Sequence, residues 1–232
     1  MAAALLIGSS VLFAQTGAEP KPDPSFPYST EIEDFARADS VRPAAPNGAL
    51  FLGSSSIRLW DIAGSFPGIG AINRGFGGAT TPDVLHYYDR IRPRAAPRAI
   101  IVYVGENDLS AGATPAKVSR DILSLLRRLR ADYPKARLAW MSLKPSPIRW
   151  TLYSKMTLVN ERVGARARAE GFDYLEVGTV LLAKDGLPDA SLFRPDGLHM
   201  NPRGYLLWTG LINGWLAEGA ATPASVVALA RP

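Results

Sequence analysis

The stretch Ala49-Leu50-Phe51-Leu52-Gly53-Ser54-Ser55-Ser56 opens with four apolar residues, turns at a glycine and delivers three serines. An apolar run this short, without polar alternation, has the form of a strand buried on both faces, as strands of parallel sheets are. The same form returns at Ile69 to Asn73, Ala99 to Val104, Arg137 to Leu143 and Phe172 to Val177. Helical periods lie between them. Pro115 to Arg130 sets Val118, Ile122, Leu125, Leu126 and Leu129 on one face and its arginines on the others. Thr81 to Ile91 begins with Thr-Pro-Asp, a good cap and first turn, and Thr151 to Glu170 reads as helix up to Gly171. A last helix is expected from Pro202 to Glu218. Strand and helix alternating about five times predict a three-layer α/β/α sandwich around a mostly parallel five-stranded sheet.

Outward from this core the pattern weakens. Glu19 to Pro27 carries four prolines and reads as a linker, Glu31 to Asp39 as a short amphipathic helix, and the compact domain is expected from Asn47 to Glu218. The tail after Gly219 reads as surface decoration. The first residues, MAAALLIGSSVLFAQTGAEP, form an apolar stretch of about thirteen residues, too short for a bilayer, which needs about 20. It has the form of a secretory signal, with Ala14 and Ala18 as cleavage points but without a charged start. The expectation is an exported protein, periplasmic or secreted; the alternative is a tail on a cytoplasmic one.

The 232 residues are 47% hydrophobic and 20% charged, a globular composition. There is no cysteine and there are two histidines, His86 and His199, which excludes disulfide scaffolds, thiol catalysis and cysteine–histidine zinc sites. Any metal site would rest mostly on carboxylates. The net charge is +5, and 20 of the 26 basic residues are arginine. These are spread over expected helices without interleaved aromatics, so they read as solvated helix faces rather than a nucleic-acid surface.

In parallel sheets ligands bind beyond the carboxyl ends of the strands. That selects Gly53 to Ser56, Gly75 to Thr81, Gly105-Glu106-Asn107-Asp108 and Lys144 to Trp150. Serines at a helix start sit near unsatisfied N–H groups and the positive end of the dipole, which suits a nucleophile, although Ser54 or Ser56 can equally be a simple cap. A serine nucleophile needs a base. His199 follows Asp196 by three residues across Gly197, a spacing that lets the carboxylate orient the imidazole. His86, inside an expected helix beside Tyr87 and Tyr88, reads as packing or surface. Gly78 and Asn107 stand where they can supply one backbone N–H and one side-chain amide to an oxyanion. Gly75-Phe76-Gly77-Gly78 is no dinucleotide fingerprint, because its sixth position is Thr80 and no acidic residue ends the next strand. There is no phosphate-binding Gly-Lys-Ser or Gly-Lys-Thr, and no Gly-x-Ser-x-Gly elbow.

Together these loops resemble the SGNH hydrolases, or GDSL-type esterases and lipases, over about Gly48 to Trp215. The resemblance rests on four blocks in order: Phe51 to Ser56, Asn73 to Gly78, Gly105 to Asp108, and Asp196 to His199. It implies a flavodoxin-like fold, with Ser55 as nucleophile, the Ser55 and Gly78 backbone and the Asn107 side chain as oxyanion donors, and Asp196 and His199 as acid and base. Ser54 replaces the family's aspartate, so Ser56 stays the second candidate beside Ser55; Ala79 replaces an acidic or hydroxyl residue. The implied reaction is ester hydrolysis through an acyl-enzyme, with neither metal nor organic cofactor required. Activity is expected to rise with pH near the free histidine value of about 6.5.

Substrate features are fewer. Lys144 and Arg149 are candidate anion contacts, and Trp150 is either a stacking wall or packed on the following helix. Without a long apolar insert between blocks, short acyl esters are expected, including acetyl groups on carbohydrate. Partners are therefore a small-molecule or carbohydrate ester, without nucleic acid and without stable membrane insertion. The alternatives are a serine acyltransferase on the same residues and a non-catalytic carbohydrate-binding relative.

Overall fold

The computed structural model describes residues 27–218. The expected export signal, most of the proline-rich segment and the tail after Gly219 lie outside the described residues. Five strands, β1 (Ala49–Gly53), β2 (Ile72–Gly75), β3 (Ala99–Tyr103), β4 (Arg137–Met141) and β5 (Asp173–Leu175), form one sheet in the order β2-β1-β3-β4-β5. Every neighbouring pair is parallel; Leu50 stands opposite Ile72 on one side and Ile100 on the other. This order reverses direction between β1 and β3, the switch point where a parallel sheet opens a crevice for ligands.

Alternation along each strand splits the core in two. Leu50, Leu52, Ile100, Val102 and Trp140 point into one layer, with α1 (Ser29–Val41), α4 (Thr81–Ile91), α6 (Pro115–Asp132) and α7 (Tyr153–Gly164). Phe51, Ile101, Tyr103 and Met141 point into the other, which is covered by α9 (Pro202–Glu218) through Tyr205, Trp208, Ile212 and Trp215. The second layer is strongly aromatic: Trp60 and Phe66, on either side of the short helix α3 (Ile62–Ser65), pack with Phe51 and with each other, and Trp60 stacks on Tyr205.

Helix α6 buries Val118, Ile122, Leu125, Leu126 and Leu129, the face expected from their spacing. Its arginines lie outside, Arg127 paired with Glu170 and Arg128 with Asp89. Helix α4 spans the residues expected, but its cap is Thr80. Thr80 accepts from the Asp83 N–H, and the Asp83 carboxylate accepts from the Thr80 N–H at 2.8 Å.

Several boundaries differ from expectation: β4 ends at Met141 rather than Leu143, β5 spans Asp173–Leu175 rather than Phe172 to Val177, and three further differences follow. The second strand begins at Ile72 rather than Ile69, because Gly68 and Gly70 both have positive φ and turn the chain first. Thr151 to Glu170 is not one helix: a 3₁₀ segment from Pro147 to Leu152 leads into α7, and a break at Ala165 and Arg166 separates α8 (Ala167–Glu170). There the Arg166 N–H bonds three residues back, to Val163, tightening the turn while Gly164 packs on the Tyr174 ring. Third, the N-terminal helix runs from Ser29 to Val41 and docks on the sheet layer. Ile32 is completely buried, Tyr28 meets the edge of Phe76, and Asp39 pairs with the buried Arg74.

Candidate active site

The three serines part company at the end of β1. Gly53 has φ +152°, and a Cβ there would sit 1.9 Å from the Tyr103 carbonyl oxygen, so only glycine lets β1 pass this close to β3. The chain then turns into α2 (Ser55–Arg58), a single turn with Ser54 at its N-cap position but making no side-chain cap bond. Ser54 and Ser56 are buried; Ser55 is half-exposed. Asn73 of β2 fixes this turn from the side. Its amide donates to the Ile57 carbonyl at 2.7 Å and its oxygen accepts from the Gly75 N–H at 2.8 Å. Tyr205 of α9 holds it from the other layer, donating to the Ser56 carbonyl at 3.0 Å.

Ser55 Oγ lies 3.0 Å from His199 Nε2, and His199 Nδ1 lies 2.7 Å from Asp196 Oδ2. The loop before α9 makes this alignment from local bonds. Asp196 Oδ1 accepts from the N–H groups of Leu198 and His199 at 2.8 and 2.9 Å, leaving Oδ2 for the ring. Burial works to raise the Asp196 pKa, but the bonds from the His199 ring and the two backbone N–H groups outweigh it and hold the carboxyl down at about 2. An ionised carboxylate only accepts, so the proton of the neutral ring sits on Nδ1. Nε2 is then the acceptor of the Ser55 hydroxyl.

The other loops converge on the same edge. Gly78 has φ +79°, a left-handed turn that glycine adopts without cost. Asn107 stands in α5 (Glu106–Ser110), directly beyond β3, and one of its two amide hydrogens goes to the Ala79 carbonyl at 3.0 Å. Asp108, unlike the partly exposed Asn107, is buried and receives the Thr81 N–H at 3.0 Å on both oxygens. Two consecutive residues of the third loop therefore hold the second. The geometry sets Gly78 beside Asn107 while leaving the second Asn107 N–H unassigned.

The residues expected to contact substrate are placed differently. Lys144 is completely buried, with Nζ donating to Glu106 Oε2 at 3.2 Å and to the Leu198 carbonyl at 3.1 Å, so it is not a substrate contact. Arg149 Nη1 is committed to Glu106 Oε1 at 3.0 Å. Trp150 stacks on Tyr153 of α7 with centroids 4.6 Å apart, the packed alternative. His86 is exposed on α4, its ring edge-on to Tyr87. Spacing along the chain did not single out Asn73, Glu106, Asp108 or Tyr205. The first three lie inside the quoted blocks; Tyr205 gives no signal beyond its place on an apolar helix.

A cleft of about 1310 Å³ beside β5, lined by Tyr153, Tyr174 and Trp215 among others, touches neither Ser55 nor His199 and is separate from this site. Among the described residues no cluster of three or more carboxylates, histidines or cysteines could hold a metal ion. Likewise, no helix of the described residues is long and apolar enough to cross a membrane.

Comparison with known proteins identifies the fold and the family. The architecture matches a Streptococcus pneumoniae protein provisionally named a platelet activating factor, at 20% identity and TM-score 0.72 over 80% of this chain and 90% of that one. It also matches a Bacteroides fragilis protein provisionally named an acylhydrolase, at 17% identity and TM-score 0.69 over 81% and 96%. A GDSL-like lipase from Bacteroides thetaiotaomicron matches at 18% identity and TM-score 0.68 over 81% and 98%. At such identities these likenesses speak for the fold. No curated protein matches the chain in sequence. The profile of the GDSL-like Lipase/Acylhydrolase family, however, matches residues 58–207, which include Gly78, Asn107, Asp196 and His199 and start three residues after Ser55. The chain therefore belongs to the GDSL-like lipase and acylhydrolase family, the SGNH type of serine hydrolase, whose work is the hydrolysis of esters.

Proposed function

We propose that the chain hydrolyses short-acyl esters, acetylated carbohydrate among them, through a Ser55–His199–Asp196 triad and an acyl-enzyme. The observation that carries this reading is the unbroken line Ser55 Oγ, His199 Nε2, His199 Nδ1, Asp196 Oδ2, with contacts of 3.0 and 2.7 Å. Ser55 Oγ attacks the acyl carbon while its proton passes to His199 Nε2. The negative charge that develops on the carbonyl oxygen meets the N–H groups of Ser55 and Gly78 and the free N–H of Asn107. Each such donor is worth roughly 10²–10³-fold in turnover. Collapse expels the alcohol, which takes the proton from His199, and leaves the acyl group on Ser55. Water then gives a proton to His199 and attacks the acyl carbon, releasing the acid and restoring the serine. Asp196 remains ionised throughout and keeps the ring in one tautomer.

Short acyl groups are favoured because β1 and β3 pass directly into the short helices α2 and α5, without an insert long enough to cover an extended chain. The test is a series of p-nitrophenyl esters from acetate to decanoate, run beside acetylated xylan or chitooligosaccharide, with wild type and Ser55→Ala. The reading expects acetate and butyrate to lead. It also expects Ser55→Ala to lose roughly 10⁶-fold in kcat together with fluorophosphonate labelling. Retained labelling, or a preference for decanoate, would refute it.

A further inference from the structure

Directly behind the oxyanion loop lies a buried charge cluster that the proposed chemistry does not use. Glu106 is 4% exposed and its carboxylate is fully occupied. Oε2 accepts from Tyr103 Oη at 2.5 Å and from Lys144 Nζ at 3.2 Å; Oε1 accepts from Arg149 Nη1 at 3.0 Å. Burial raises the carboxyl pKa, yet Lys144, Arg149 and the Tyr103 hydroxyl outweigh it and keep the group ionised. Burying charged groups is costly, and well-packed apolar side chains commonly serve stability as well or better. What such a cluster does provide is fixed direction: every hydrogen-bonding arm must be met in one geometry.

The arms reach separate parts of the site. Glu106 immediately precedes the oxyanion donor Asn107, and its backbone starts α5. Lys144 comes from the loop after β4, and its third arm ends on the Leu198 carbonyl, one residue before His199. The same loop makes a second contact with the histidine loop, from the Ile148 N–H to the Gly197 carbonyl at 3.1 Å. Lys144 is thus the bridge between the loop that carries Asn107 and the loop that carries His199.

We propose that Glu106 and Lys144, steadied by Arg149 and Tyr103, are positioning residues that keep the oxyanion donor and the general base in register during turnover. The proposal rests on the triad reading above. Lys144 is buried and all its donors are occupied, so its effect on the reaction passes through the two loops and not through contact with substrate.

Misplacing reactive groups by about 1 Å can cost on the order of 10²-fold in rate. Lys144→Met is therefore expected to lower kcat for p-nitrophenyl acetate by roughly 10–100-fold, counted per fluorophosphonate-labelled site, with KM unchanged within about twofold. Glu106→Gln, which keeps the volume of the side chain, should lose a similar factor and serves alone if Lys144→Met does not fold. Because both act through one bridge, the double variant should lose little more than the worse single variant rather than the product of the two. Unchanged kcat per labelled site would overturn the proposal and leave the cluster a structural strut. A rise in KM confined to negatively charged esters would overturn it in favour of an anion contact. Multiplying losses would overturn the shared bridge. Ser55→Ala is measured in parallel: if it retains activity the triad reading itself fails, whereas an inactive Ser55→Ala beside an unimpaired Lys144→Met defeats only the positioning proposal.

Discussion

Two carboxylates stand in neighbouring loops of this enzyme, each beside a nitrogen base, and their surroundings differ completely. Asp196 is 47% exposed and its histidine 23%; Glu106 and Lys144 are 4% and 1% exposed. The open pair can exchange protons and admit a substrate, and its geometry comes from backbone N–H groups of its own loop. The closed pair is cut off from water, and its geometry comes from side chains drawn from two loops and a strand, with a backbone carbonyl from a third loop. Accessibility thus separates a group suited to react from one suited to hold.

The strongest way to break this contrast is Asp196→Asn. It should leave the loop folded while upsetting the histidine tautomer, lowering kcat by about 10⁴-fold with a smaller fall in thermal midpoint than the one expected below for Lys144→Met. A large fall in midpoint would show that the open pair is structural after all. Lys144→Met should do the reverse in proportion. Breaking a buried pair costs about 3 kcal/mol, or roughly 6–12 °C in midpoint for a domain of this size, with the smaller loss of rate given above.

Acid sharpens the comparison further. The folded-state pKa of Asp196, about 2, lies below the usual carboxylate value of about 3.9, so its contribution to stability is complete above pH 4 and is lost as pH falls through 2. The shift of Glu106 has the same sign. Denaturation midpoints measured from pH 5 to 2 should fall for wild type and fall less for Asp196→Asn. An equal slope in both would remove the bond to His199 as the cause. The smallest effect is expected at the surface, where Lys117 and Asp121 form an exposed pair on α6. Lys117→Met should change stability by less than about 1 kcal/mol, and a larger change would mean that burial is not what sets these magnitudes.

Much of the architecture is written in periodicity. The apolar runs at Ala49 and Ala99 and the stripe of α6 needed only local sequence, since a strand buried on both faces and a helix buried on one leave different marks. The Asp196–His199 contact was equally legible, because both partners lie in one short turn. Lys144 was misread for the opposite reason: its partner Glu106 is 38 positions away in sequence, and spacing does not tell which way a loop lysine points. Spacing alone did not separate the three adjacent serines either; the family resemblance implied Ser55, with Ser56 second. It is the turn after Gly53, enforced by the proximity of the Tyr103 carbonyl, that sends Ser55 toward His199 and the other two inward. The break at Arg166 left no local mark either; beside it Gly164 lies against the Tyr174 ring, a contact between elements.

The docking of α1 bears on how this enzyme can be shortened. A truncation chosen from the strand pattern would begin at Asn47, and it would strip Asp39 from the buried Arg74, uncover the pocket that Ile32 fills and remove Tyr28 from the flank of Gly78. The Arg74 guanidinium of β2, still held by the Ile91 carbonyl but without its carboxylate, would then be pulling toward water at the root of the loop that carries Gly78. For expression, fusion or immobilisation, the usable starting point lies ahead of Tyr28, and a tag or linker belongs before that tyrosine rather than in place of the helix.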